Sequence, residues 1–170
     1  MKLKILLFVF VLSWAPGLLH AQKGTTAIAL NDYYVSITDS MYNYGVKWGE
    51  KFNVIYQGSK DFTALGAERK VLHQFIVRKQ KELLLHKDAY GSEDLRLAVL
   101  NFLFYEKKML EEGFIPVEKL TKSSTEAEIN KVIGNLTVLA EEESVEIKKV
   151  NEAQEAFAKK NGFAIEAAAE

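Results

Sequence analysis

Proline is almost absent from this chain, and its scarcity constrains the fold more than any other feature of the sequence. Only Pro16 and Pro116 occur in 170 residues. Long stretches that lack proline and are rich in Lys, Glu, Leu and Ala favour helices over strands. The sequence therefore predicts an all-α protein.

Apolar residues recur at steps of three and four positions in the first long stretch, which is the spacing of one helix face. Gly58 and Ser59 follow as a predicted stop for this helix and a cap for the next one. Gly45 and Gly49 lie beside the same face, and we expect them to let a neighbouring helix pack closely. The stripe consists of Leu30, Tyr34, Ile37, Met41, Tyr44, Trp48, Phe52 and Ile55.

Aromatic residues are concentrated in this same stretch, between Asp32 and Phe52. A cage for a cationic ligand needs two or three rings that converge on one point. Rings that follow one another along a helix face are more typical of a core. We therefore predict that the aromatic stripe is core material and that only Tyr42 points to the surface.

The same spacing predicts three further helices. The second ends near His86, and Ser92 caps the third, which runs to Gly113. An irregular stretch around Pro116 follows, and residues 123–126 (SSTE) are predicted to open the last helix as a capping box. Four long helices with mostly short connections predict an antiparallel up-and-down four-helix bundle.

The first 21 residues have the parts of a cleavable secretory signal peptide. Two lysines precede an apolar run over residues 5–14, which ends before Pro16, and Ala21 offers a cleavage site. Cleavage there leaves residues 22–170 as a single four-helix-bundle domain. The apolar run is shorter than the ~20 residues that span a bilayer, so we expect no stable membrane span after cleavage.

The composition excludes several classes of function. Cysteine is absent, which excludes disulfides, thiol catalysis, thiolate metal sites and the lipid anchor of a bacterial lipoprotein. The formal net charge of −1 argues against a nucleic-acid-binding protein, which carries a basic face. We expect an exported protein of the periplasm or outer surface of a Gram-negative bacterium that is not lipid-anchored.

Candidates for a metal site are few. A ferritin-like di-metal site needs Glu-x-x-His on two helices, and this motif does not occur in the sequence. Glu68, Glu106 and Glu143 fall near the core faces of three helices, and His86 lies in phase near an end. These four are the candidates for a metal or small-ligand site inside the bundle. Long acidic side chains at a core edge more often reach solvent or pair with lysine, so no cofactor is predicted.

Catalytic motifs are also missing from the sequence. It contains no G-x-S-x-G nucleophile elbow and no glycine-rich phosphate loop. Asn151, Gln154 and Asn161 share the core face of the last helix. A polar layer that fixes helix register explains them better than a small polar pocket does. No catalytic residue is assigned, and a non-enzymatic protein is favoured.

The third helix is the least ordinary element because it carries a second apolar face. Leu97, Leu100 and Phe104 lie roughly opposite its core-facing residues. One side of each helix in a bundle faces solvent, so this stripe needs a cover. Either residues 114–119 fold back over it, or it contacts a protein partner or a second copy of the chain.

Two segments carry a family resemblance, residues 92–105 (SEDLRLAVLNFLFY) and residues 151–165 (NEAQEAFAKKNGFAI), together with the AQ after the signal. They resemble a family of signal-peptide-bearing helical surface proteins of unknown function from spirochaetes and Bacteroidetes. The resemblance implies an exported helical bundle. It supplies no activity and no site residues.

Overall fold

The computed structural model describes residues 26–165, and its elements are helices throughout that range. In chain order they are α1 (Ala27–Gln57), α2 (Gly66–Leu85), α3 (Glu93–Met109), the one-turn helix α4 (Ile115–Glu118) and α5 (Glu126–Asn161). No strand occurs between residues 26 and 165, which confirms the predicted all-α class. The signal peptide predicted for residues 1–21 lies outside the described residues.

Side-chain contacts set α1 and α2 antiparallel. Near the end of α1, Lys51 Nζ lies 2.7 Å from a carboxylate oxygen of Glu68, at the start of α2. Near the start of α1, the Tyr33 hydroxyl donates to Glu82, close to the end of α2, at 3.2 Å. The two contacts fix both the direction and the register of this helix pair.

The aromatic stripe of α1 is part of the hydrophobic core, as predicted. Tyr34, Trp48 and Phe52 are all buried. The Trp48 ring stacks on Phe52 with centroids 5.6 Å apart, and on Phe114 with centroids 3.9 Å apart. Tyr42 is the residue of the stretch predicted to reach the surface, and it is exposed. The rings pack against one another and enclose no ligand cage.

Gly45 and Gly49 do not mark a close helix contact, so that prediction is wrong. A Cβ atom built on either glycine meets no other atom within 4 Å. Helix separation depends on the side chains at the contact, and the buried residues beside these glycines on α1 are the large Met41 and Trp48. The close approach lies instead at Gly113, where an added Cβ would be 2.9 Å from Leu136 Cδ1 of α5.

The connection between α1 and α2 contains a 3₁₀ turn, Phe62–Leu65, whose first and last side chains are fully buried. Ser59 does not cap α2, contrary to prediction. Its hydroxyl accepts a hydrogen bond from the Asp61 amide at 3.2 Å, and α2 begins only at Gly66. The buried apolar turn, rather than a cap, leads the chain into α2.

The stretch between α3 and α5, predicted to be irregular, is largely helical. Leu110–Phe114 form a π-helical turn that continues directly into α4. In a continuous α-helix the carbonyl of Glu112 would accept from residue 116, but proline has no N–H. Asn135 Nδ2 of α5 donates to this carbonyl at 2.8 Å and so replaces the missing donor. The helical turns therefore continue through Pro116, and the carbonyl of Glu112 still accepts a hydrogen bond.

The cap of α5 lies two residues later than predicted. Thr125 Oγ1 accepts from the Glu128 amide at 3.2 Å, and the Glu128 carboxylate accepts from the Thr125 amide at 2.7 Å. The residue just before Thr125 does not cap the helix either. The Ser124 hydroxyl accepts a hydrogen bond from the Thr121 amide and so belongs to the preceding turn. α5 ends at Asn161, where Gly162 adopts the left-handed conformation (φ 72°) that terminates helices.

Candidate functional site

The predicted second face of α3 is divided between surface and core. Leu97 and Phe104 are exposed, whereas Leu100 is buried as part of the hydrophobic core. The three residues therefore do not form one exposed stripe. Leu97 and Phe104 remain the candidates for a contact with a partner, whereas Leu100 belongs to the core.

Residues 114–119 do not cover this face. Phe114 is buried against Trp48 of α1, and Val117 is fully buried. Glu118 pairs with Arg69 of α2, and both side chains are largely shielded from solvent. The segment packs against α1 and α2, so the fold-back alternative does not account for Leu97 and Phe104.

Two hydrogen bonds set the register of α2 against α3. The buried Gln80 side chain donates from Nε2 to the carbonyl oxygen of Leu103 at 3.2 Å. Near the other end of the pair, Arg96 Nη1 donates to the carbonyl oxygen of Leu83 at 3.3 Å. The helices are antiparallel, so the Gln80–Leu103 contact lies toward one end of the pair and the Leu83–Arg96 contact toward the other.

Four exposed apolar side chains follow this register. Leu84 and Leu97 adjoin the Leu83–Arg96 contact, while Val77 and Phe104 flank the Gln80–Leu103 contact. Their exposed fractions are 45% for Val77, 61% for Leu84, 39% for Leu97 and 50% for Phe104. We call these four residues the α2–α3 surface. Val77 and Leu84 were not predicted from the sequence, although both are apolar residues that lie off the buried stripe of α2.

The four candidate metal ligands do not come together. Glu68 is partly exposed and paired with Lys51 at 2.7 Å. His86 stacks on Tyr33 at the opposite end of α2, with ring centroids 5.6 Å apart. Only Glu106 of α3 and Glu143 of α5 meet. No group of three or more His, Asp or Glu placed to hold a metal ion is found within residues 26–165.

Glu106 and Glu143 form a carboxyl pair inside the bundle. Glu106 is buried, and its Oε1 atom has no hydrogen-bond partner among the described residues. Burial raises the pKa of Glu106 well above its ordinary value, and the charge of Glu143 and the hydrogen bond to it raise it further. Burial also raises the pKa of the half-buried Glu143, while its hydrogen bond with Glu106 lowers it. The pair therefore holds a proton more tightly than an ordinary glutamate does.

The groups beside this pair are already engaged. The Tyr105 hydroxyl lies 2.7 Å from the carbonyl oxygen of Leu139 and 3.1 Å from a carboxylate oxygen of Glu142. Lys108 Nζ lies 3.1 Å from the same carboxylate. Burial, followed by the hydrogen bond to Glu142, raises the pKa of Tyr105 above its ordinary value. Lys108 is thus paired with Glu142 and does not neutralise the charge of Glu106 or Glu143.

A second polar cluster lies where α1 begins and α2 ends. His86 stacks on Tyr33, and Lys79 Nζ lies 4.9 Å from the centre of the Tyr33 ring. Asn31 Oδ1 and the Tyr34 hydroxyl are buried here without hydrogen-bond partners among the described residues. These atoms belong to one helix turn of α1, and they line no ligand-sized cavity that the structure shows.

The polar residues predicted on the core face of α5 serve the packing of its end. Asn161 Nδ2 donates to the Phe157 carbonyl at 2.8 Å and to the Tyr90 carbonyl at 3.3 Å. Asn151 and Gln154 are half-buried. The Asn161 contacts agree with a role in register.

A shallow depression of about 270 Å³ is lined by Ser40, Asn43, Tyr44 and Lys47. All four residues belong to α1, and they bring no buried polar group to the depression. Within residues 26–165, no helix is both long and apolar enough to cross a membrane. Compared with known protein families, with curated protein sequences and with solved structures, the chain shows no significant match.

Proposed function

We propose that this protein is an exported, non-enzymatic envelope or surface protein that acts by binding another protein. Its architecture is taken to be an antiparallel up-and-down four-helix bundle released from a signal peptide. The observation that carries the proposal is the α2–α3 surface, where two adjacent helices expose four apolar side chains. Contiguous apolar patches on soluble proteins commonly mark contact sites for other proteins.

The composition of the surface favours a protein partner. Phe104 supplies an aromatic side chain of the kind that is enriched where protein contacts are strongest. Polar residues are interleaved with the apolar ones: Lys81 lies between Val77 and Leu84 on one face of α2, and Asn101 lies between Leu97 and Phe104 on α3. A mixture of apolar and polar side chains is ordinary in a protein interface, which as a whole is only slightly more than half apolar. A second copy of the chain and a different protein both satisfy this chemistry.

Paired lysine substitutions test the proposal. Leu97→Lys and Phe104→Lys place charges on the α2–α3 surface at positions that are already exposed, so helicity and melting temperature should change little. The matched controls are Val138→Lys and Val145→Lys, which alter similarly exposed apolar residues of α5. Self-association is measured by light scattering, and envelope partners are captured by crosslinking.

The expected result is that the α5 controls keep the association of the wild-type protein and the α3 variants lose it. A different-partner model predicts loss of one crosslinked species while the purified protein stays monomeric. The proposal is wrong if the wild-type protein is monomeric and captures no envelope protein. It is also wrong if all four variants retain the same association.

Export is tested separately by fractionating cells and measuring the mass of the mature protein. The proposed signal peptide predicts an N-terminus at Gln22 and recovery from the periplasm or the outer surface. A protein recovered from the cytoplasm with residues 1–21 intact would contradict this part of the proposal. The α2–α3 contact would then need a cytoplasmic partner.

A small-ligand or metal-binding module is the second candidate. The observation that favours it is the buried Oε1 atom of Glu106, which has no hydrogen-bond partner among the described residues and lies in a pair with Glu143. Elemental analysis of protein purified without chelators tests this candidate. A stoichiometric metal that is lost in Glu106→Gln would favour it over the contact protein, and metal-free protein would remove it.

A further inference from the structure

We propose that Glu106 and Glu143 form a buried proton-binding site, in which one shared proton holds α3 and α5 together and its loss loosens their contact. The site is built from two helices, since Glu106 lies in the last turn of α3 and Glu143 in the middle of α5. The proposal does not depend on the proposed partner contact.

A proton fits the geometry of the pair. Two ionised carboxylates at close range in a poorly solvated site repel each other, so such pairs retain one proton between them. Glu106 is buried, and one of its oxygens lacks a partner, which makes a second full charge there costly. Glu143 is half-buried and gives the pair a route for proton exchange with solvent.

Within residues 26–165, no positive group acts on Glu106 in place of the proton. On its own helix, Glu106 has Tyr105 and Lys108 nearby, and Lys108 is 3.1 Å from Glu142. From α5, the titratable group that acts on Glu106 is Glu143. Charged side chains also lie where α1 and α2 contact other helices. They are paired with one another or with α4, and none of them acts on the pKa of Glu106. These pairs are Lys51–Glu68, Lys79–Glu82 and Arg69–Glu118.

The sign of the pH dependence follows from the raised pKa of both carboxyls. A folded state that binds a proton more tightly than the unfolded chain is favoured at low pH. The contribution is complete below the ordinary glutamate pKa of about 4.3 and is lost as pH rises through the folded-state value. Across that window, one proton changes the folding equilibrium constant by up to about tenfold per pH unit.

The test compares urea unfolding of the wild-type protein, Glu106→Gln and Glu143→Gln between pH 4.5 and pH 9. Glutamine keeps the size and hydrogen-bonding capacity of the side chain and removes its titration. Glu106→Gln is expected to lose the alkaline decline, and at pH 8 its folding equilibrium constant should exceed that of wild type by about tenfold or more. Glu143→Gln should weaken the decline without abolishing it, because burial still raises the pKa of Glu106 after the charge of Glu143 is removed. The matched control is Glu141→Gln, an exposed position of the same helix, which should follow the wild-type profile.

Two further measurements separate a proton site from ordinary packing. Carbon NMR should show one glutamate carboxyl that titrates well above the others in wild type and disappears in Glu106→Gln. Amide hydrogen exchange around residue 143 should be faster in wild type than in Glu106→Gln at pH 8, and equal at pH 5. If Glu106→Gln does not fold, Glu143→Gln supplies the test: the high-titrating carboxyl should move to lower pH than in wild type, because the neighbouring charge of Glu143 is gone.

The proposal is overturned if the glutamine variants keep the wild-type pH profile, or if no glutamate titrates above its ordinary range. It is also overturned if Ca²⁺, Mg²⁺ or Mn²⁺ at pH 8 stabilises wild type but not Glu106→Gln. In that case the pair holds a cation in place of the proton.

Discussion

Replacing glycine by alanine should change stability in opposite directions at different positions of this protein. Gly45 and Gly49 lie inside α1, and an added Cβ meets nothing within 4 Å at either site. Alanine is more favourable than glycine in a helix interior by ~0.8–1.0 kcal/mol. Each substitution should therefore raise the free energy of unfolding by about 1 kcal/mol, and the double variant by about 2 kcal/mol.

Gly113→Ala is the matched opposite case. The added Cβ would lie 2.9 Å from Leu136 Cδ1 and 3.2 Å from Leu139 Cδ1, both in the α5 packing face. Overpacking of this kind costs ~1–3 kcal/mol, which outweighs the helix-propensity gain. We expect the free energy of unfolding to fall by up to about 2 kcal/mol.

Urea and thermal unfolding followed by circular dichroism measure all three variants. A change of 1 kcal/mol corresponds to a shift in melting temperature of roughly 2–4 °C for a chain of this size. Destabilisation by Gly45→Ala or Gly49→Ala would refute the reasoning, because it would mean that a neighbouring helix does approach these glycines. Equal stabilisation by Gly113→Ala would mean that the contact with α5 is looser than described.

Three further substitutions test individual features of the fold. Thr125→Ala should lower the free energy of unfolding by ~1 kcal/mol through loss of the α5 cap, whereas Ser123→Ala, measured by the same unfolding curves, should have little effect if the cap lies where we describe it. Leu100→Ala should cost ~2–5 kcal/mol as a core substitution, and Leu97→Ala much less; similar values for the two would contradict the division of the α3 face. Asn135→Ala should cost ~1 kcal/mol by removing the hydrogen bond to the carbonyl that the proline leaves free, and an unchanged urea midpoint would show that this carbonyl is satisfied otherwise.

The sequence was sufficient for the four long helices and for most of the buried side of each, because steps of three and four positions report one helix face directly. It missed the helical turns between α3 and α5. Leu100 and Phe104 show where this signal ends. They are one turn apart on the same helix, yet Leu100 is 5% exposed and Phe104 is 50% exposed. The difference depends on how far the neighbouring helices extend over α3, and no local pattern encodes that distance.

The carboxyl pair shows the same limit at the level of the site. Helical phase placed Glu68, Glu106 and Glu143 near core faces, but their meeting depends on the register between helices. The register of α3 against α5 brings two of them together, while Glu68 is held at another level by Lys51. A local ambiguity displaced the cap as well, since residues 123–126 and residues 125–128 both fit the Ser/Thr-x-x-Glu pattern.

Two asparagines of α5 have a consequence for how far this long helix can slide. Asn135 and Asn161 each donate to a backbone carbonyl outside α5, at Glu112 and Tyr90. They are about 39 Å apart along the helix axis at 1.5 Å per residue. A displacement of α5 by one turn, ~5.4 Å, would break both hydrogen bonds while leaving a similar apolar face against α3. The hydrogen bonds of the two asparagines therefore select one position of α5 along its axis, where apolar packing alone would allow others.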